Sequence, residues 1–162
     1  MSNTEIGLIS TIPYVVAALI MNWWSQRSDK KGERHMHAAI PLLLAAVSLV
    51  GAGLASNLMV AMVLITVSLT TMYCFKGPFW ALPSMVLTPS MAAVGIAVIN
   101  SIGNLGGFVG PYAIGALKDA TGGTFAGLIF LSVMMVVAFI MLLLLRKDKK
   151  TFPTEKHYKI AK

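Results

Sequence analysis

Four stretches of this chain carry no charged side chain: residues 6 to 26, 35 to 75, 77 to 117 and 120 to 145. They run to 21, 41, 41 and 26 residues, and a helix that crosses a bilayer needs about 20. A backbone in hydrocarbon must pair its own polar groups, which leaves uninterrupted apolar runs of this length only the helix. The chain is also 57% apolar and 12% charged over its 162 residues, too apolar for a soluble domain of that size. The expectation is an all-α polytopic membrane protein.

Local chemistry divides the long stretches. Ser56-Asn57 offers a break and a cap, and the segment holding Pro83, Ser84, Thr88, Pro89 and Ser90 offers another, because proline discourages helix and short polar side chains cap it. Five spans result, at about 6–26, 38–55, 58–83, 92–117 and 124–145, followed by a basic tail at 146–162. Neither a basic leader nor a short apolar core marks the first span as a cleavable signal, and none is expected.

Lysine and arginine orient the bundle. Arg27, Lys30, Lys31 and Arg34 lie between the first two spans, and seven more basic residues follow the fifth, so eleven of 13 share one side if the spans alternate. The positive-inside rule makes that side cytoplasmic and places the N-terminus outside. The net charge of +7 then reports topology and contact with anionic lipid heads, and no folded basic domain is present for a nucleic-acid partner. Lys118 falls in an outer loop, and Lys76 falls inside a span.

Catalytic patterns are missing. Cys74 is the lone cysteine and lies within a span, which rules out an intrachain disulfide. His35, His37 and His157 fall in the inner loop or tail without metal-ligand spacing, and the run Gly103-Asn104-Leu105-Gly106-Gly107 follows no strand, so it is not a dinucleotide loop. Neither an enzyme, a cofactor nor a metal site is expected.

The fourth span is the unusual one. At 100° per residue Asn100, Asn104, Gly107 and Pro111 share one face, and Gly103, Gly106 and Gly110 form the adjacent stripe. Gly103 with Gly107 and Gly106 with Gly110 are small-xxx-small pairs that let a neighbouring backbone approach closely. Two readings fit this pattern: a tightly packed bundle with asparagines bonded between helices, or the wall of a polar cavity.

The segment WSQRSDKKGERHMH is on its own only a charged turn between two spans. Its Asp29 and Gly32, with Arg27, Lys31 and Arg34, resemble the loop between helices eight and nine of the major facilitator superfamily, where Gly, Asp, a basic residue, Gly and further basic residues recur. Ser25 stands where that pattern has its first glycine. More specific are GPFWALP from Gly77, GIAVINSIGNLGGFVGPYAIG from Gly95 and KDATGGT from Lys118. Together they resemble the anion:cation symporters of that superfamily, in particular the tartrate and sugar-acid branch that includes L-rhamnonate transporters.

The resemblance implies that the five spans are helices eight to twelve of a twelve-helix transporter, a C-terminal portion lacking its N-terminal half. It implies symport of an organic anion, a small hydroxylated carboxylate such as L-rhamnonate or tartrate, with protons by alternating access. Trp80 and Asn100 match positions that line the substrate site in that family. Asn104 lies one turn further along the same face, where it either contacts substrate or bonds a neighbouring helix. Lys76 precedes Trp80 by four residues, so its ammonium either meets a substrate carboxylate or snorkels to an interface. Asp29, Gly32, Arg27 and Arg34 are implied as the gating loop, and Gly103, Gly106, Gly107 and Gly110 as the packing edge of helix eleven. The alternative is a truncated, transport-inactive fragment or a small membrane protein acting through helix association.

Overall fold

The computed structural model describes residues 3–147, and within them the chain is helical except for short links. The helices are α1 (Asn3–Lys31), α2 (Arg34–Leu54), α3 (Leu58–Ala81), α4 (Pro83–Val86), α5 (Pro89–Thr121) and α6 (Phe125–Lys147). Five are long, and α4 is a single turn. Among the described residues four segments are long and apolar enough to cross a membrane: Arg34–Leu54, Leu58–Val86, Pro89–Thr121 and Phe125–Arg146. The uncharged stretch 6–26 lies inside α1, whose 29 residues carry it past the basic side chains that follow. The expected basic tail, beyond Lys147, lies outside the described residues.

Helix ends fall where the caps are. Asn57 precedes α3, and its side-chain oxygen accepts from the backbone N–H of Met59 at 2.8 Å, satisfying one of the donors that a helix start leaves bare. Pro83 and Pro89 both occupy the first turn of the helix they open, the one place where a missing N–H costs nothing. This is why α5 begins at Pro89, a turn earlier than the expected start near residue 92. α1 likewise runs past residue 26 to Lys31, because a charged side chain does not by itself stop a helix.

α2 is the hub. It packs against α3 on one side and α6 on the other, while α1 lies along α3 and α5 meets α6 and α4. The sequence allows this because six of the nine buried positions of α2 are small: Ala38, Ala39, Ala45, Ala46, Ser48 and Ala52. Small side chains let two helices approach one axis closely, which is how helices associate where lipid removes any hydrophobic drive. Ser68 of α3 donates to the carbonyl of Ala45 at 3.1 Å and ties α3 to α2. A cluster of Ala38, Ala39, Leu42, Leu82 and Leu142 packs the start of α2 against the ends of α3 and α6.

α5 differs. Of its 33 residues only Ala92 is buried, and Phe108 stands 79% exposed. The order across the bundle is therefore α1, α3, α2, α6, α5, with α5 at the rim.

Candidate functional site

The loop between α1 and α2 is built around Gly32. Its φ is +67°, in the left-handed region that an L side chain enters at a cost of roughly 1–2 kcal/mol, and its N–H donates to the carbonyl of Ser28 at 2.9 Å to close α1. The chain reverses within two residues and starts α2 at Arg34. Across the turn the Arg34 guanidinium lies 3.2 Å from the Asp29 carboxylate, and Arg27 sits 5.6 Å above the Trp23 ring. An exposed ion pair of this kind contributes about 0–1 kcal/mol, so the glycine conformation holds the turn and the charges decorate it. Of the four residues expected in the gating loop, Gly32 makes the connection, Arg27 and Asp29 lie near the end of α1, and Arg34 opens α2.

Two contacts behind the loop are not visible in the sequence motif. Pro41 sits inside α2 and has no N–H, so the carbonyl of His37, four residues earlier, loses its helical donor. The indole N–H of Trp24 on α1 donates to that carbonyl at 2.8 Å. The His37 ring lies 5.1 Å from the Trp24 ring, and its Nδ1 donates to the Glu33 carbonyl at 2.6 Å, which fixes the tautomer. Pro41 itself is fully buried. One side chain therefore fills a proline's vacancy and fastens α1 to α2.

The second contact joins α1 to α3. A Cβ placed on Gly77 would collide with the hydroxyl of Ser25, so Ser25 is seated in the notch that Gly77 leaves. The expected pattern has its glycine at position 25; here the small residue on the facing helix makes the room instead.

Of the substrate residues expected on α3, Lys76 is exposed and its Nζ lies 4.3 Å from the centroid of the Tyr73 ring. Trp80 is half-buried, edge-on to Phe79 at 5.4 Å, and Phe79 stacks on Phe75 at 4.7 Å. Neither Lys76 nor the Trp80 indole N–H is bonded to a described residue. On α5, Asn100 and Asn104 are exposed and without a described partner. The structure does not pack the two sets together, because α5 meets α6 and α4, with no extended contact to α3. At Gly103, Gly106, Gly107 and Gly110 an added Cβ would meet nothing within 4 Å, so within this chain the glycine stripe packs on no helix.

Sequence reasoning missed Tyr14, Tyr73, Trp24 and His37. The spacing of Tyr73 and Lys76, and of His37 and Pro41, was open to inspection; that Tyr14 and Trp24 reach across from α1 was not.

Comparison with known proteins agrees with this architecture. Two Agrobacterium vitis proteins, each named "Putative tartrate transporter", are 40% and 42% identical over 148 and 147 residues. Each match covers 91% of this chain and 33% or 34% of the relative. A quinolone resistance transporter of Acinetobacter baumannii is 36% identical over 140 residues, 86% of this chain and 32% of that protein. The inner membrane transport protein RhmT of Escherichia coli (strain K12) is 32% identical over 158 residues, 94% of this chain and 36% of RhmT. The chain spans about a third of the length of the curated relatives it matches. No solved structure matches it. These relatives are named as transporters, not enzymes, and residues 1–159 match the family described as Major Facilitator Superfamily. This multi-pass, all-helical membrane chain belongs to the major facilitator superfamily.

Proposed function

We propose that the chain is the C-terminal part of a longer secondary transporter that carries a small hydroxylated carboxylate, tartrate or a sugar acid such as L-rhamnonate, with protons. The observation that carries this reading is α5, a membrane-spanning helix whose amide face at Asn100 and Asn104 is left open by the rest of the chain. An asparagine both donates and accepts, which suits a ligand rich in hydroxyls. Trp80 offers an apolar wall for a short carbon chain and an indole N–H that is still free to donate. The glycine stripe beside the amides would then face a helix of the complete transporter. Alternating access requires two repeats that rock about a shared site, and this chain supplies about one. No Asp or Glu lies between residues 35 and 117, so the proton-carrying carboxylate belongs to the other half.

Uptake by the complete transporter tests this. Asn100→Ala and Trp80→Ala abolish tartrate uptake with expression near wild type; unchanged affinity and rate in Asn100→Ala would return the asparagine to a packing role. The 162-residue chain reconstituted alone takes up no acid under a pH gradient. Saturable uptake by it would replace the fragment reading with an oligomeric transporter. Because one relative is named for quinolone resistance, a quinolone belongs in the same assay, and its transport without tartrate would overturn the acid assignment.

A further inference from the structure

Lys76 is a cation with an unusual neighbourhood. It lies within Leu58–Val86, a membrane-spanning segment with no acidic residue. The Asp29–Arg34 ion pair lies elsewhere, at the loop between α1 and α2. What Lys76 does have is the face of Tyr73, 4.3 Å from its ammonium and one turn back on α3. Tyr73 is held in turn by Tyr14 of α1, whose ring meets it edge-on at 86° with centroids 6.3 Å apart. Tyr14 is 53% exposed, and neither phenol hydroxyl bonds to a described residue. Three side chains from two helices thus bring one ammonium and two phenols together at the seam of α1 and α3, and no acidic residue lies on α3 to pair with the ammonium. Trp80, one turn beyond Lys76, continues the same edge of α3.

We propose that Tyr14, Tyr73 and Lys76 form a carboxylate-binding cleft at the seam of α1 and α3, which holds the acid group of the transported ligand. The proposal rests on the organic-anion reading above. An ammonium in a membrane span is costly, about 2.5–3.5 kcal/mol on insertion scales, and a cation over an aromatic face recovers only part of that. A carboxylate recovers more: it pairs with the ammonium and accepts from both phenols at once. Tyr73 gives the lysine a resting place when the cleft is empty, so the ammonium is kept within the cleft rather than drawn to the lipid interface. Tyr14 matters because it lies on another helix, which makes the cleft sensitive to the packing of α1 on α3.

The test separates the hydroxyls from the rings. In the complete transporter Tyr73→Phe and Tyr14→Phe keep the stacking and the cation–π contact but remove the donors. Each should raise the KM for tartrate by roughly ten- to a hundredfold with Vmax within about twofold, the loss expected for a hydrogen bond to a charged group. Lys76→Gln should raise KM more than tenfold, and Lys76→Arg should restore most of it. Unchanged KM in Lys76→Gln and in both phenylalanine variants, with wild-type uptake intact, overturns the cleft and leaves the transport reading standing. If the wild type takes up no tartrate, the substrate assignment fails and the cleft is read separately. Ala18→Cys, one turn beyond Tyr14 on α1 and exposed, on a Cys74→Ala background, is then labelled with a maleimide in the presence of lactate, malate, benzoate or the corresponding amides. Protection by the acids alone, lost in Lys76→Gln, supports a carboxylate cleft; absence of protection by every acid overturns it.

Discussion

Trp24→Phe should destabilise this bundle by removing one hydrogen-bond donor, and the size of the effect should depend on a residue that Trp24 does not replace. The indole N–H donates to the carbonyl of His37 at 2.8 Å, and that carbonyl has no helical donor because residue 41 is proline. His37 is buried, 6% exposed, so water does not take over when the indole is lost. Leaving a buried acceptor unpaired costs about 1–3 kcal/mol. The substitution also removes some ring contact with His37, an apolar loss unconnected with the carbonyl. A double-mutant cycle with Pro41→Ala separates the two, since alanine restores an N–H at position 41 and with it the ordinary helical bond. Unfolding in mixed micelles by titrated dodecyl sulfate should show Trp24→Phe costing about 1–3 kcal/mol more on the proline background than on the alanine one. Equal costs on both backgrounds would refute the reasoning and reduce Trp24 to a packing residue.

Gly32→Ala should destabilise the turn between α1 and α2 by about 1–2 kcal/mol, because φ is +67° there, and Gly32→Asn should cost less; thermal melts of the two variants against wild type decide it. Gly77→Ala drives a Cβ into Ser25 and should loosen α1 from α3, while Ser25→Gly on the same chain should restore stability; failure of that rescue in the same melts would mean that the notch is not what seats α1. Single-cysteine labelling in intact cells, on a Cys74→Ala background, should mark Lys118–Thr124 from outside and the residues after Arg146 only once the membrane is opened, and an externally labelled tail would invert the topology.

The uncharged stretches were sufficient by themselves for the fold class and the number of long helices, because a bilayer accepts few backbone structures and charges are costly inside it. Breaks at Asn57 and around Pro83 and Pro89 were legible for the same kind of local reason: a cap and a missing N–H act on their own neighbours. The turn at Gly32 could be read from its motif, and the structure adds the left-handed conformation that makes glycine necessary. Partners across helices were not legible. Nothing in the spacing of α1 announces that Trp24 would answer a proline in α2, that Ser25 would fill the notch of Gly77, or that Tyr14 would lean on Tyr73 beneath Lys76. Helical periodicity assigns each residue to a face, but which face meets which is set by how closely two backbones approach, and here the small residues of α2 decide that by drawing α3 and α6 onto one axis. The same geometry leaves α5 at the rim with its amides and glycines bare, an arrangement that depends on the neighbours α5 has in three dimensions and not on its own sequence.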